Sequence, residues 1–276
     1  MYESLGIIAL TITFLTFILT YCINRRNPFR VFSTLKNNRQ TYLHLGILAF
    51  ILLINKLELK LESLLSGQTD YSSLFYSYEH TILPMIQSTF RHQLLTEITT
   101  FFYIIMFITL IATSVVTYLL QEDWKLFYTF LYAIGFNYIF AIPFYLLFPV
   151  NEAWYSHPQI EFFIPAVYPG FESQYRHMSG LDNCFPSLHN SISMTVLFVS
   201  SKSSSLALKS LTYISVPIIM FATIYLGIHW LTDMAAGILL AIIATKTALL
   251  IADKLILRGK RKKRAQDGSE HTHYIK

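Results

Sequence analysis

Charge is scarce in this chain. Asp, Glu, Lys and Arg make up 13% of its 276 residues, about half the share found in soluble globular domains. With 22 Phe, 18 Tyr and a mean hydropathy of +0.46, the deficit makes lipid the solvent for most of the protein. Cysteine is also rare. Cys22 and Cys184 are the two present, and the topology below puts them near opposite membrane faces, so no disulfide is expected and the redox compartment is not readable. No His-Glu-x-x-His helix occurs, and no third ligand stands at zinc spacing from any histidine pair, so neither a metal nor a cofactor is expected. There is no repeat of fixed period and no low-complexity segment beyond "SKSSS". The N-terminus carries Glu3 in place of a basic leader, ahead of an apolar run too long for a signal peptide.

What the chain does have is long apolar stretches. Seven are expected to span: 4–23, 41–57, 94–120, 124–148, 187–201, 210–228 and 232–257. The fold class is therefore all-α, a polytopic transmembrane helix bundle. Basic residues orient it. The 24–40 loop holds Arg25, Arg26, Arg30, Lys36 and Arg39 with no acid, and "RGKRKKR" opens the tail. Placing both inside requires an odd number of spans, with the N-terminus outside and the C-terminus inside. The 149–186 loop, with one Arg and four acids, then lies outside. Three regions follow: an N-terminal two-span hairpin with an outer amphipathic loop (1–93), a helical core (94–257) and a basic cytoplasmic tail (258–276). The tail carries seven basic and two acidic residues, the whole net charge of +5. It reads as an anchor on anionic lipid, not as a nucleic-acid arm. The segment 58–93 is too polar to span; parts of it read as an amphipathic helix on the outer surface, a lid over the site or a passive linker.

Ionisable groups at span ends are candidate functional residues. His189, in "NCFPSLHNS", begins the fifth span. His229 and Asp233, in "YLGIHWLTDMAAG", lie at the junction of the sixth and seventh. All three fall at the outer face. On a helix, His229 and Asp233 are i,i+4 neighbours. A carboxylate there fixes one tautomer and leaves the other ring nitrogen as a lone pair, which suits a nucleophile or general base. His189 is a second imidazole able to protonate a leaving oxygen. Pro186 and Ser187 open a helix whose free N–H groups favour an anion. Two imidazoles, one carboxylate and an anion cradle together suit phosphoryl transfer through a phosphohistidine.

At these residues the sequence resembles the type 2 phosphatidic acid phosphatase superfamily. Its P-S-x-x-H motif is met by Pro186-Ser187-Leu188-His189, and its H-x-x-x-D motif by His229 and Asp233. The resemblance implies that His229 attacks phosphorus, Asp233 orients it and His189 is the general acid. Three of the superfamily's phosphate-gripping cations have no counterpart: K-x-x-x-x-x-x-R-P is missing, and Ala222 and Thr223 stand where Ser-Arg is usual. "LLFPVNEAW" and "FPSLH" resemble the inositolphosphotransferase (inositol phosphorylceramide synthase-like) branch, whose phosphodiester substrate carries one less negative charge. The expected function is headgroup transfer from a phospholipid donor to a lipid alcohol or to water, with membrane lipids as the partners. The alternatives are a lipid phosphate or prenyl pyrophosphate phosphatase, and a non-catalytic transporter or scaffold. For the missing cations, Arg176 in "ESQYRHMSG" is the first candidate, a loop ion pair with Glu172 or Asp182 being its other reading. His177 follows, then Arg91 with His92. Asn183, Asp182 and Glu152 could bond a polyol headgroup. Ser187, Arg176, Asn183 and His177 are thus the expected substrate contacts.

Overall fold

A computed structural model describes residues 4–62, 69–175 and 180–273. In chain order the α-helices are α1 (Leu5–Asn24), α2 (Arg30–Asn37), α3 (Arg39–Glu62), α4 (Ser72–Glu79), α5 (Ile82–Phe90) and α6 (Gln93–Phe101). A π-helical turn, Phe102–Met106, joins α6 to α7 (Phe107–Leu120). Then come α8 (Trp124–Leu147), the short α9 (Ala153–Ser156), α10 (Ile164–Val167) and α11 (Phe171–Tyr175), and finally α12 (Leu188–Ser200), α13 (Leu206–Tyr225) and α14 (Leu231–His273). Among the described residues the only β feature is an isolated parallel bridge between Val150 and Asn183.

The helix starts are written in the sequence. Asp123, Ser187 and Ser205 each accept a backbone N–H of the following turn, from Leu126, Asn190 and Leu208, each such cap contributing about 1 kcal/mol. Five helices are long and apolar enough to cross a membrane: Leu5–Asn24, Gln93–Leu120, Trp124–Leu147, Leu206–Tyr225 and Leu231–Leu257. The protein is a polytopic helical bundle. The two remaining expected spans also fall on helices. One is α3, whose apolar stretch is Thr41–Ile54. The other is α12, whose 13 residues rise only about 20 Å, against a hydrocarbon core of about 30 Å.

The short α12 is possible because protein surrounds it. It packs against α8, α13 and α14, and its Asn190, Ser191, Ser193 and Thr195 are buried. Lipid is as apolar as leucine, so helices here associate through close packing and polar contacts. Ala241, Ala244, Ala248 and Ala252 form a fully buried small-residue stripe on α14, a helix that packs closely on α8. Asn137 of α8 donates to the Thr195 hydroxyl at 2.9 Å.

Polar contacts tie together one end of the bundle. Asn24 of α1 donates to Thr117, and Arg26 to the Leu120 carbonyl. Lys125 at the start of α8 pairs with Asp253 of α14. Asp233 lies about 30 Å back along α14 from Asp253, at 1.5 Å per residue. The Asp233 end is therefore one membrane thickness away from Arg25 and Arg26.

Candidate active site

His229 is aimed by the way α13 ends. Gly227 has φ +84°, and its N–H bonds to the Ile224 carbonyl while Ile228 N–H reaches Thr223. This is a Schellman termination, with glycine at its left-handed position. A side chain at 227 would also meet the Glu161 carbonyl at 2.5 Å. The Thr223 carbonyl also accepts the His229 N–H at 3.0 Å. "YLGIHW" thus stops one helix and leaves His229 at a fixed place beyond the stop.

The start of α14 supplies the carboxylate. Asp233 Oδ2 accepts the Trp230 N–H at 3.0 Å and lies 3.4 Å from His229 Nδ1. The next two N–H groups, of Leu231 and Thr232, go to Glu79 at 2.6 and 2.8 Å. Glu79 is itself buried, so a carboxylate from α4 caps α14 across the fold. Charged hydrogen bonds of this kind contribute about 1.5–3 kcal/mol each. The two carboxylates occupy the positive end of α14. The described part of the 58–93 segment is largely helical. It forms the end of α3 together with α4 and α5, and residues 63–68 lie outside the described set. Gln87 also anchors it, bonding to both backbone groups of Glu161 and to the Tyr225 carbonyl.

His189 arrives on α12, which is pressed against α14. A side chain at Gly237 would meet the Ser187 carbonyl at 2.7 Å, and Ser187 N–H bonds to the Asp233 carbonyl at 3.2 Å. This close approach sets the two imidazole centroids 6.4 Å apart, with the rings inclined at 53°. The π turn completes the setting. It brings Tyr103 parallel to the His189 ring at 4.3 Å, and Phe107 sits beside it at 4.6 Å. The Tyr103 hydroxyl is 3.5 Å from His189 Nδ1. Such π turns recur at functional sites because they re-aim a side chain without ending the helix.

Cys184 is the neighbour that spacing did not reveal. Its Sγ lies 3.0 Å from His229 Nδ1 and 3.3 Å from the Ile228 carbonyl. Both Cys184 and Asp233 face the same ring nitrogen. A thiol-imidazole-carboxylate relay needs two different nitrogens, so Cys184 is not the nucleophile of such a relay. The simplest proton assignment puts a proton on Nδ1, facing Asp233 Oδ2 and Sγ, and leaves Nε2 as a lone pair.

Both imidazoles line a cavity of about 240 Å³. One wall is apolar, with Leu5 and Ile8 of α1, Ile104, Phe107 and Ile108; the tyrosines Tyr103, Tyr138, Tyr145 and Tyr168 also line it. Among the described lining residues there is no Lys or Arg, and the single carboxylate is Glu152, which accepts the Trp154 indole N–H.

The expected substrate contacts divide. Asn183 lines the cavity, and its Oδ1 is buried without a partner among the described residues. Ser187 does not line it: the hydroxyl caps α12 and accepts Asn190 Nδ2 at 3.0 Å. Arg176 and His177 lie outside the described residues. Arg91 lies elsewhere, exposed, holding Glu161 through both guanidinium ends at 2.7 and 2.8 Å. These bonds and the Glu161 charge raise its pKa above the usual arginine value. His92 Nδ1 caps α6. Thr223, where an arginine is usual, is buried and bonded to Asn190 Nδ2 at 3.1 Å. A neutral Ser187–Asn190–Thr223 network therefore fills that place. Cys184, Glu79, Tyr103 and Asn190 are the site's unforeseen members. Only the "DNC" preceding "FPSLH" hinted at one of them.

A helical membrane bundle with two imidazoles and a carboxylate at one end defines the class. The family model of the PAP2 superfamily matches residues 77–247, and the chain belongs to that superfamily. No curated protein and no solved structure matches it. Membership, together with the apolar helices, makes this a multi-pass membrane protein of the lipid phosphatase and phosphotransferase kind.

Proposed function

We propose that the protein transfers a phospho-alcohol headgroup, inositol phosphate-like, from a phospholipid to a lipid alcohol at the extracytoplasmic face, through a phosphohistidine on His229. The observation that carries this is the 6.4 Å separation of the two imidazoles across one cavity, with Asp233 behind only one of them. Phosphorus fits between rings so placed. His229 Nε2 attacks it, forming a P–N bond as the P–O bond to the diacylglycerol oxygen breaks. His189 gives that oxygen its proton. In the second half-reaction His189 takes the proton of the acceptor hydroxyl, whose oxygen attacks phosphorus and frees His229. Asp233 holds the Nδ1 proton throughout and balances the charge that develops on the ring.

The cavity's apolar wall supports a lipid substrate. A diester carries one negative charge, and a cavity without Lys or Arg among its described lining residues suits it better than a monoester. Phe171 and Gly180, on either side of the segment containing Arg176 and His177, both line the cavity, which supports Arg176 as the grip on the phosphate oxygens. The distance of one membrane thickness between the site and the Arg25–Arg26 end supports an outward-facing site.

The test uses purified protein with headgroup-labelled phospholipid and a lipid alcohol. Label moving to the lipid alcohol is the expected result. Release of the free phospho-alcohol, with water as the acceptor, would make the protein a hydrolase, and no turnover of any lipid phosphoester would leave the scaffold reading. Arg176→Ala should raise KM for the donor about tenfold or more; an unchanged KM would move the grip elsewhere.

A further inference from the structure

We propose that Cys184, His229 and Asp233 form a binding site for a soft divalent cation, zinc foremost, whose occupancy holds the site inactive. The inference deepens the functional reading above, since it concerns regulation of that same centre. The three side chains come from separate places: the loop bridged to Val150, the stop after α13 and the first turn of α14. No linear zinc motif spans them, yet their ligand atoms all lie within 4.8 Å of one another. Sγ to Nδ1 is 3.0 Å, and Nδ1 to Oδ2 is 3.4 Å. Tetrahedral zinc, with bonds of about 2.0–2.3 Å, places its ligands roughly 3.3–3.7 Å apart. Two of the three separations are thus already close to that geometry, and the third is within 4.8 Å.

The donor set selects the ion. One sulfur, one imidazole nitrogen and one carboxylate suit zinc; magnesium and calcium require shells of six or more oxygens. Charge balance points the same way. All three groups are buried, and a thiolate plus a carboxylate cancel a double positive charge where an uncompensated ion would be costly. Asp233 Oδ1 is a second, independent indication. It is a fully buried carboxylate oxygen with no partner among the described residues, and such atoms are rare because their desolvation goes uncompensated. Cys184 and His229 also line the cavity, which leaves the fourth coordination position open to water.

Occupancy would silence the chemistry by proton arithmetic. The cation takes the Nδ1 lone pair and the thiolate, and the thiol proton is released to solvent. The neutral ring keeps its one proton, which must now sit on Nε2. The lone pair that would attack phosphorus is gone, and Asp233 is engaged by the metal.

Cobalt(II) is the probe, titrated into the full-length protein in detergent micelles without substrate. One cobalt per chain is expected, with a near-ultraviolet sulfur-to-cobalt charge-transfer band that zinc abolishes. Cys184→Ser should remove the band, and Cys22→Ser should leave it intact. A wild-type protein without the band, or a band that survives Cys184→Ser, overturns the proposal. If Cys184→Ser does not fold, His229→Ala and Asp233→Asn carry the test. Each should weaken cobalt binding about tenfold or more, and unchanged affinity in both overturns it. The readout needs no turnover. An active enzyme without the band removes this inference alone, and a cobalt-binding protein without transferase activity removes the functional reading alone.

Discussion

Around His229, the groups nearest Nδ1 are polar: a carboxylate and a thiol, with the Thr223 carbonyl holding its backbone. Around His189 the nearest groups are ring faces, Tyr103 at 4.3 Å and Phe107 at 4.6 Å, with one hydroxyl at the edge of hydrogen-bonding range. Directional bonds fix a tautomer and an angle of attack, which a nucleophile requires. Aromatic faces fix the plane of a ring and place no carboxylate at its nitrogens among the described residues. The two histidines, side by side at one end of the bundle, thus stand in different settings, which is what the proposed division of roles requires.

Breaking each setting should give a graded series. Asp233→Asn removes the charge that orients His229 and should lower kcat by roughly 10³–10⁴-fold, with donor KM nearly unchanged; a loss under tenfold would mean that Cys184 or the backbone suffices. His189→Ala should cost about 10²–10⁴-fold. A donor analogue with a nitrophenol leaving group sharpens the comparison, because it departs without a proton. It should restore the first half-reaction in His189→Ala and fail to do so in Asp233→Asn. Equal rescue of both variants would dissolve the distinction between the two rings.

Smaller effects are expected further out. Glu79→Ala uncaps the helix that carries Asp233 and should reduce kcat about tenfold through misplacement. Glu79→Gln, whose single amide oxygen can accept at only one of the two positions Glu79 fills, should recover part of the loss, and donor KM should hold. Arg91→Ala breaks an exposed pair, 62% and 56% accessible, so activity should stay within about twofold. A large loss there would bring Arg91 back as a substrate contact.

The sequence made the local relations legible. An i,i+4 spacing joined His229 to Asp233, Pro-Ser marked the start of α12, and apolar runs marked where helices would lie. Relations across the fold were not legible. Glu79 caps residues about 150 positions away, and Cys184 reaches His229 across 45. Neither carries a periodic signal. The π turn below His189 was invisible because "FFYIIMF" reads as uninterrupted helix. The hydroxyl of Ser187 looked available to a phosphate, but Asn190, one turn on, takes it. The 187–201 run looked like a span because its serines and threonines were read against lipid. It forms a 13-residue helix packed against α8, α13 and α14, with its serines and threonines facing protein.

The account rests most directly on a covalent bond at His229. Protein incubated briefly with donor phospholipid labelled in its phosphate, then quenched in alkali, should retain label that is stable to base and released by acid. Peptide mapping should place it on His229, and His229→Ala should carry none. Label retained by His229→Ala, or wild-type protein that turns over donor yet never holds label in a rapid quench, would contradict the account.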